Sequence, residues 1–147
     1  MNKMRRIHVA VFVSLLFLGI ATGAKGDDYT GAKVTVIKKA TTTAGGKKME
    51  YLKTDHPEVT ALLVEIPPGG ETGWHLHPVP VYAYVLSGTI TVEMENGEKH
   101  DYEEGEAIFE AVNEAHNGKN LGEIPVKLIV FYTGEEGRPV TATVQHK

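Results

Sequence analysis

The chain of 147 residues, with 41% hydrophobic and 23% charged residues, has the size and composition of one globular domain. It contains no cysteine, which excludes disulfides, thiolate metal ligands and a cysteine nucleophile. Residues 1–24 hold three basic residues and no acid, so residues 25–147 carry 12 basic against 19 acidic residues. This acidic balance argues against nucleic acid or an anionic membrane as a partner of the mature chain.

The N-terminal segment has the layout of a secretory signal peptide. Lys3, Arg5 and Arg6 form a basic start, residues 9–20 are mostly apolar, and small residues lead up to Ala24. The apolar run is short for a membrane span, which needs about 20 residues. We therefore predict a signal peptide over residues 1–24, cleavage after Ala24, and a periplasmic or secreted mature protein. An uncleaved N-terminal anchor is the alternative.

Most of the remaining chain is predicted to form short β-strands. Residues 25–58 are interpreted as an N-terminal extension with edge strands at 34–37 and 49–53, and residues 134–147 as a tail with one more short strand. Apolar runs and alternating patterns predict the central strands. These strands cover residues 59–66, 81–86, 89–95, 99–103, 107–112 and 126–133. No stretch of the mature chain has sustained helical periodicity, so an all-β sandwich or barrel is expected.

Two histidines, His75 and His77, lie two residues apart in a segment that Gly69 and Gly88 enclose. In an extended backbone such residues point to the same face, where two imidazoles can bind one metal ion. The segment resembles the first motif of the cupin superfamily: glycine, five residues, His-x-His, three or four residues, glutamate, six residues, glycine. Val81 occupies the glutamate position, and the other positions match.

A second cupin-like motif runs from Gly105 to Asn120 and ends in the region that we predict to be a loop, residues 113–122. Gly105, His116 and Asn120 have the family spacing, while Ala111 and Asn113 replace its proline and glycine. The resemblance implies an all-β, jelly-roll-like double-stranded β-helix barrel over about residues 59–133. It also implies small-molecule binding.

The same resemblance implies a divalent metal ion at the barrel centre, held by His75, His77 and His116. Three imidazoles suit iron, zinc, copper or nickel. They suit manganese less well, because manganese prefers oxygen donors.

Because valine cannot bind a metal, the identity of a fourth ligand is open. Tyr82 is adjacent to Val81, but regular alternation turns it to the other face of the strand. Glu71 precedes the histidines and Glu110 precedes His116. Either glutamate is also interpretable as a solvated loop or strand charge.

The resemblance to three-histidine dioxygenases makes an oxygenase, or a metal-assisted isomerase or lyase, the leading hypothesis. A thiol dioxygenase is disfavoured, because cysteine is absent and the one arginine after residue 24, Arg138, is far from the motifs. The alternatives are a non-catalytic small-ligand or metal-binding barrel, a vestigial site without metal, and a structural partner of another periplasmic protein. No pair of residues stands out as a general acid–base couple. A homodimer formed through exposed edge strands is also expected from the resemblance.

Overall fold

The computed structural model describes residues 30–145, and the chain from Thr35 onward forms one compact unit. The signal peptide predicted for residues 1–24 lies outside the described residues. Within residues 30–145 there are nine strands, and no helix is long and apolar enough to cross a membrane. The strands are β1 (Pro57–Ile66), β2 (His75–Leu76), β3 (Val81–Ser87), β4 (Thr89–Met94), β5 (Lys99–Glu103), β6 (Ala107–Phe109), β7 (His116–Lys119), β8 (Val126–Glu135) and β9 (Ala142–Thr143).

The strands form two antiparallel sheets. One has four strands in the order β1-β8-β3-β6, and the other has five in the order β5-β4-β7-β2-β9. Crossovers join the sheets, so that neighbours in a sheet are mostly distant in sequence. The predicted all-β, cupin-type barrel is confirmed.

The core lies between the sheets and follows from simple alternation along the strands. On β8, Val126, Leu128 and Val130 are buried, while Lys127 between them is exposed. The same period buries every second residue of β3, beginning with Val81. Each fully buried aliphatic side chain contributes roughly 1.5–3 kcal/mol to stability. The sheets therefore close on an apolar interior, into which the polar groups described below project.

Two features differ from the sequence-based prediction, and one in the tail agrees with it. Within residues 34–53 the predicted edge strands are wrong: the described chain there has only an isolated bridge between Thr42 and Lys48. Val36 and Ile37 are exposed and lie beside no partner strand in the described chain. β-Branched residues favour a strand, but they do not form one without a partner. The predicted loop at 113–122 contains β7, which β4 and β2 flank on either side. The strand predicted in the tail is confirmed as β9, which extends the sheet beyond β2.

Candidate metal centre

Two neighbouring strands of the five-stranded sheet bring the three predicted histidines together. His75 on β2 lies directly opposite His116 on β7, so both side chains project from the same face. His77 follows two residues after His75 and bridges to Val112. One ligand atom from each of the three rings lies within 4.8 Å of the others, and His77 and His116 are buried.

Each imidazole is held from behind by a backbone carbonyl that accepts a hydrogen bond from Nδ1. A carbonyl oxygen cannot donate, so Nδ1 of each ring carries the proton, and a neutral ring then leaves the lone pair on Nε2. This arrangement fixes both the tautomer and the orientation of the ring, as is usual for metal-binding histidines. The bonds run from His75 to Gly73 (2.7 Å), from His77 to Val140 (3.0 Å) and from His116 to Glu114 (2.9 Å).

The donor atoms fit a divalent metal ion. Nε2 of His116 is buried and has no hydrogen-bond partner, which would be costly if nothing else could bind it. An ion among the three Nε2 atoms would use this lone pair. Neutral imidazole nitrogens are ligands that zinc, iron, copper and nickel accept.

Glu110 extends into this cluster from the four-stranded sheet, one residue after the end of β6. Its Oε2 lies 3.1 Å from Nε2 of His77 and 3.4 Å from Nε2 of His116. Burial by itself would raise the pKa of Glu110, but the close approach of His116 and His77 outweighs burial and lowers the pKa to about 2. The carboxylate is thus ionised beside the histidines.

The histidines respond to this environment in opposite directions. Burial lowers the pKa of His75, and the hydrogen bond to Gly73 only partly offsets it. Burial also acts to lower the pKa of His116, but the carboxylate of Glu110 reverses the effect and raises it. His75 is therefore the more readily deprotonated of these two rings.

The other two candidates for a fourth ligand lie elsewhere. Glu71 accepts a hydrogen bond from the side-chain amide of Asn117 at 2.9 Å. Tyr82 lies on the outer face of β3, where its ring meets that of Phe109 edge-on at 5.7 Å. Of the three candidates named from the sequence, Glu110 is the one that reaches the histidine nitrogens.

Several supporting residues were not identified from the sequence. The carbonyl of Val140 and the hydroxyl of Thr141, both in the tail, lie 3.0 and 3.1 Å from Nδ1 of His77. The hydroxyl of Thr72 lies 3.5 Å from Nδ1 of His75 and accepts a hydrogen bond from the amide of Gly118. No sequence signal marks the contacts of His77 with the tail or of Thr72 with Gly118, because they join segments that only the folded sheet brings together.

A small cavity of about 60 Å³ lies in front of the histidines, inside the barrel. Such a volume admits only a few molecules of the size of water. The ring of Tyr132 meets that of His77 edge-on at 5.3 Å on one side. The remaining wall is mostly aliphatic and comes from both sheets, including Val64, Ile90, Val92, Ile108, Leu128 and Val130.

Comparison with known proteins gives one family match and one curated relative. Residues 62–132 match the family model described as a cupin domain. Tetracenomycin polyketide synthase protein TcmJ of Streptomyces glaucescens is 31% identical over 77 residues, which are 52% of this chain and 51% of that protein. The chain therefore spans about half the length of this relative.

Solved structures give the same fold. The polyketide cyclase RemF from Streptomyces resistomycificus is 26% identical with a TM-score of 0.52, over 59% of this chain and 61% of that one. The DMSP lyase DddQ from Ruegeria pomeroyi is 19% identical with a TM-score of 0.53, over 60% of this chain and 44% of that one. At that lower identity the likeness is evidence for the fold alone.

Proposed function

The domain at residues 62–132 belongs to the cupin superfamily, and we propose that it binds a divalent metal ion through His75, His77 and His116 to act on a small organic molecule. One observation carries the proposal. All three Nδ1 atoms bond to backbone carbonyls, which leaves the Nε2 lone pairs for an ion, and one ligand atom of each ring lies within 4.8 Å of the others.

The chemistry follows from this donor set and its surroundings. A bound divalent ion would polarise a carbonyl or hydroxyl oxygen, or lower the pKa of a water molecule. The backbone carbonyls hold the imidazoles in place, and the aliphatic wall keeps bulk water out, which strengthens every electrostatic interaction inside. The carboxylate of Glu110, 3.1 Å from Nε2 of His77, adds a negative charge beside the ion. These parts suit oxygenation, isomerisation or elimination.

The size of the cavity limits the substrate. At about 60 Å³ it is far smaller than the roughly 300–1,000 Å³ pockets that enclose drug-sized ligands. TcmJ is a polyketide synthase protein and RemF is a polyketide cyclase, and polyketides are rich in carbonyl groups. For this chain we favour a metal-assisted rearrangement of a small carbonyl compound, with oxygenation as the competing reaction at the same site.

A non-catalytic binding barrel is the second candidate. Among the described residues that line the cavity, Glu110 is the one carboxylate, and it already contacts two histidines. A site without a separate acid and base favours binding over turnover.

Metal binding is tested by calorimetric titration of metal-free protein with Zn²⁺, together with metal analysis. We expect one ion per chain, and a loss of affinity of about 100-fold or more for His77→Ala. Removal of a metal ligand should weaken binding at least as much as removal of a group that orients a ligand. His56→Gln is the matched control, since His56 is exposed and outside the cluster. Wild-type protein without saturable binding would overturn the proposal.

Turnover is tested with Fe²⁺-loaded and Zn²⁺-loaded protein on a panel of small diols, diketones and phenols. Substrate loss in step with oxygen uptake would identify an oxygenase. Substrate loss without oxygen would identify the rearrangement that we favour. Saturable binding of a panel member without any substrate loss would identify the binding barrel.

Export and pairing complete the proposal. Residues 1–24 motivate export, and N-terminal sequencing of the exported protein should then begin at Lys25. The outer face of the four-stranded sheet supports a homodimer, because Val59, Leu63 and Phe131 on it are exposed. Sedimentation of the mature protein should give twice the mass of one chain, and a monomer at high concentration would contradict pairing.

A further inference from the structure

We propose that Glu110 is the fourth metal ligand, and that it takes over from the neighbouring strand the role that the first cupin motif gives to a glutamate at the position of Val81. The inference rests on the metal site proposed above. It adds a residue whose type neither motif specifies, and it makes the donor set three imidazoles and one carboxylate.

Strand register places the two positions side by side. Tyr82 on β3 is paired with Phe109 on β6, and the amide of Glu110 donates to the carbonyl of Val81 at 3.0 Å. Residues directly opposite each other in an antiparallel pair project from the same face, with Cβ atoms about 4.5–5.5 Å apart. A carboxylate at either position therefore enters the same part of the barrel.

The outward-pointing side chains of the same strand pair give independent evidence for this orientation. The rings of Tyr82 and Phe109 meet at 5.7 Å outside the barrel. Their neighbours Val81 and Glu110 must then point inward, since side chains alternate along a strand. Val81 is 1% exposed and belongs to the core cluster, as this orientation requires.

The carboxylate lies where a ligand is needed. Oε2 of Glu110 is 3.1 Å from Nε2 of His77 and 3.4 Å from Nε2 of His116, the atoms proposed to bind the ion. The side chain is only 17% exposed, and the ion pairs found for it in the described residues are with these histidines, none with lysine or arginine. A buried carboxylate without a lysine or arginine partner needs another cation nearby, and a divalent metal ion would be that cation.

A carboxylate ligand changes which metals the site favours. An oxygen donor suits manganese and iron better than a set of nitrogens alone does. It also reduces the net charge of the loaded site from +2 to +1. Removal of the carboxylate should therefore weaken Mn²⁺ binding more than Cu²⁺ or Zn²⁺ binding.

The test measures Mn²⁺ and Zn²⁺ affinities by calorimetry, and the visible spectrum of the Co²⁺-loaded protein, for wild type and variants. Glu110→Val should lower Mn²⁺ affinity by about 100-fold or more, and Zn²⁺ affinity by less. The double variant Val81→Glu/Glu110→Val should recover most of the Mn²⁺ affinity, because the carboxylate returns to the same space from the opposite strand. Glu65→Gln is the control, since it removes an exposed carboxylate from the same sheet.

The results with these variants either support or overturn Glu110 as the fourth ligand. If Glu110→Val does not fold, the same comparison is made with Glu110→Gln, which keeps the shape of the side chain and removes its charge. Wild-type affinities and an unchanged Co²⁺ spectrum in these variants would overturn the inference and leave the three-histidine site intact. A folded double variant that recovers no affinity would overturn the equivalence of the two positions. Failure of the wild type to bind any ion would overturn the proposed function itself.

Discussion

The two sheets bring different residues to the candidate metal centre and hold them in different ways. The five-stranded sheet supplies imidazoles: His75 on β2 lies opposite His116 on β7, and His77 follows two residues later. Each ring is fixed from behind by a backbone carbonyl. These positions depend on a short local spacing and on one strand pair.

The four-stranded sheet faces these rings with a row of inward side chains of varied chemistry. Tyr132 on β8 lies opposite Val81 on β3, and Glu110 lies beside Val81 on the far side. Neighbouring positions in such a row reach the same space, so more than one strand can supply a carboxylate there. The spacing within the motifs therefore marks the imidazoles in the sequence, whereas sheet register alone brings the acid to them.

The largest effect should come from a second carboxylate on the four-stranded side. Val81 is 1% exposed, so Val81→Glu would bury a charge beside Glu110. In the presence of a chelator we expect a loss of about 3–5 kcal/mol in the free energy of unfolding, as for an uncompensated buried charge. Saturating Zn²⁺ should reduce that loss, and urea unfolding measures both states. An equal loss with and without Zn²⁺ would show that the two side chains do not share one cation.

The next effect should come from the removal of an imidazole on the five-stranded side. At a free Zn²⁺ concentration of 100 times Kd, binding stabilises the wild type by about 2.7 kcal/mol, and thus raises its Tm by roughly 10 °C. His116→Ala should abolish this shift, while His56→Gln, in which an exposed histidine is changed, should keep it. Calorimetric melts with and without chelator measure the shift. A full shift in His116→Ala would place the ion elsewhere.

A smaller effect should follow when one imidazole is held less firmly. The hydroxyl of Thr141 lies 3.1 Å from Nδ1 of His77, whose other contact is the carbonyl of Val140. Thr141→Val should lower Zn²⁺ affinity by up to about 10-fold, which is the smallest loss typical when a group that orients a metal ligand is removed. Thr89→Val, at an exposed threonine at the start of β4, is the matched control. Unchanged affinity in both variants would mean that the carbonyl alone fixes the ring.

The smallest effect should come from the outer face of the four-stranded sheet. Leu63 is 71% exposed, on the side of β1 away from the barrel interior. At concentrations low enough to keep the chain monomeric, so that the proposed pairing is absent, Leu63→Lys should change the free energy of unfolding by no more than about 0.5 kcal/mol and leave Zn²⁺ affinity unchanged. Urea unfolding and calorimetry check both values. A loss of Zn²⁺ affinity would show that the outer face is coupled to the site.

The sequence was sufficient for the barrel strands and for the imidazoles, because both leave local signals. Alternation predicted β4, and burial of Ile90, Val92 and Met94 agrees with it. It was insufficient for β7: Asn117 and Gly118 have turn-forming character, yet hydrogen bonds to flanking strands hold them extended and buried. Tertiary pairing overrides local preference there.

The acid could not be chosen from the sequence for a related reason. Alternation already disfavoured Tyr82, but Glu71 and Glu110 were equal as residue types near the motifs. What separates these two is the pairing of β3 with β6, which places Glu110 beside Val81 and turns it inward. Pairing between distant strands leaves no mark in local composition. The anchoring of His77 by the tail was hidden for the same reason.

The most direct test of this metal centre is an anomalous difference map at the zinc absorption edge from crystals of the zinc-loaded protein. Binding by the four side chains predicts one peak per chain, within about 2.0–2.2 Å of Nε2 of His75, His77 and His116 and of a carboxylate oxygen of Glu110. A peak at another place in the protein, or no peak at saturating zinc, would contradict it.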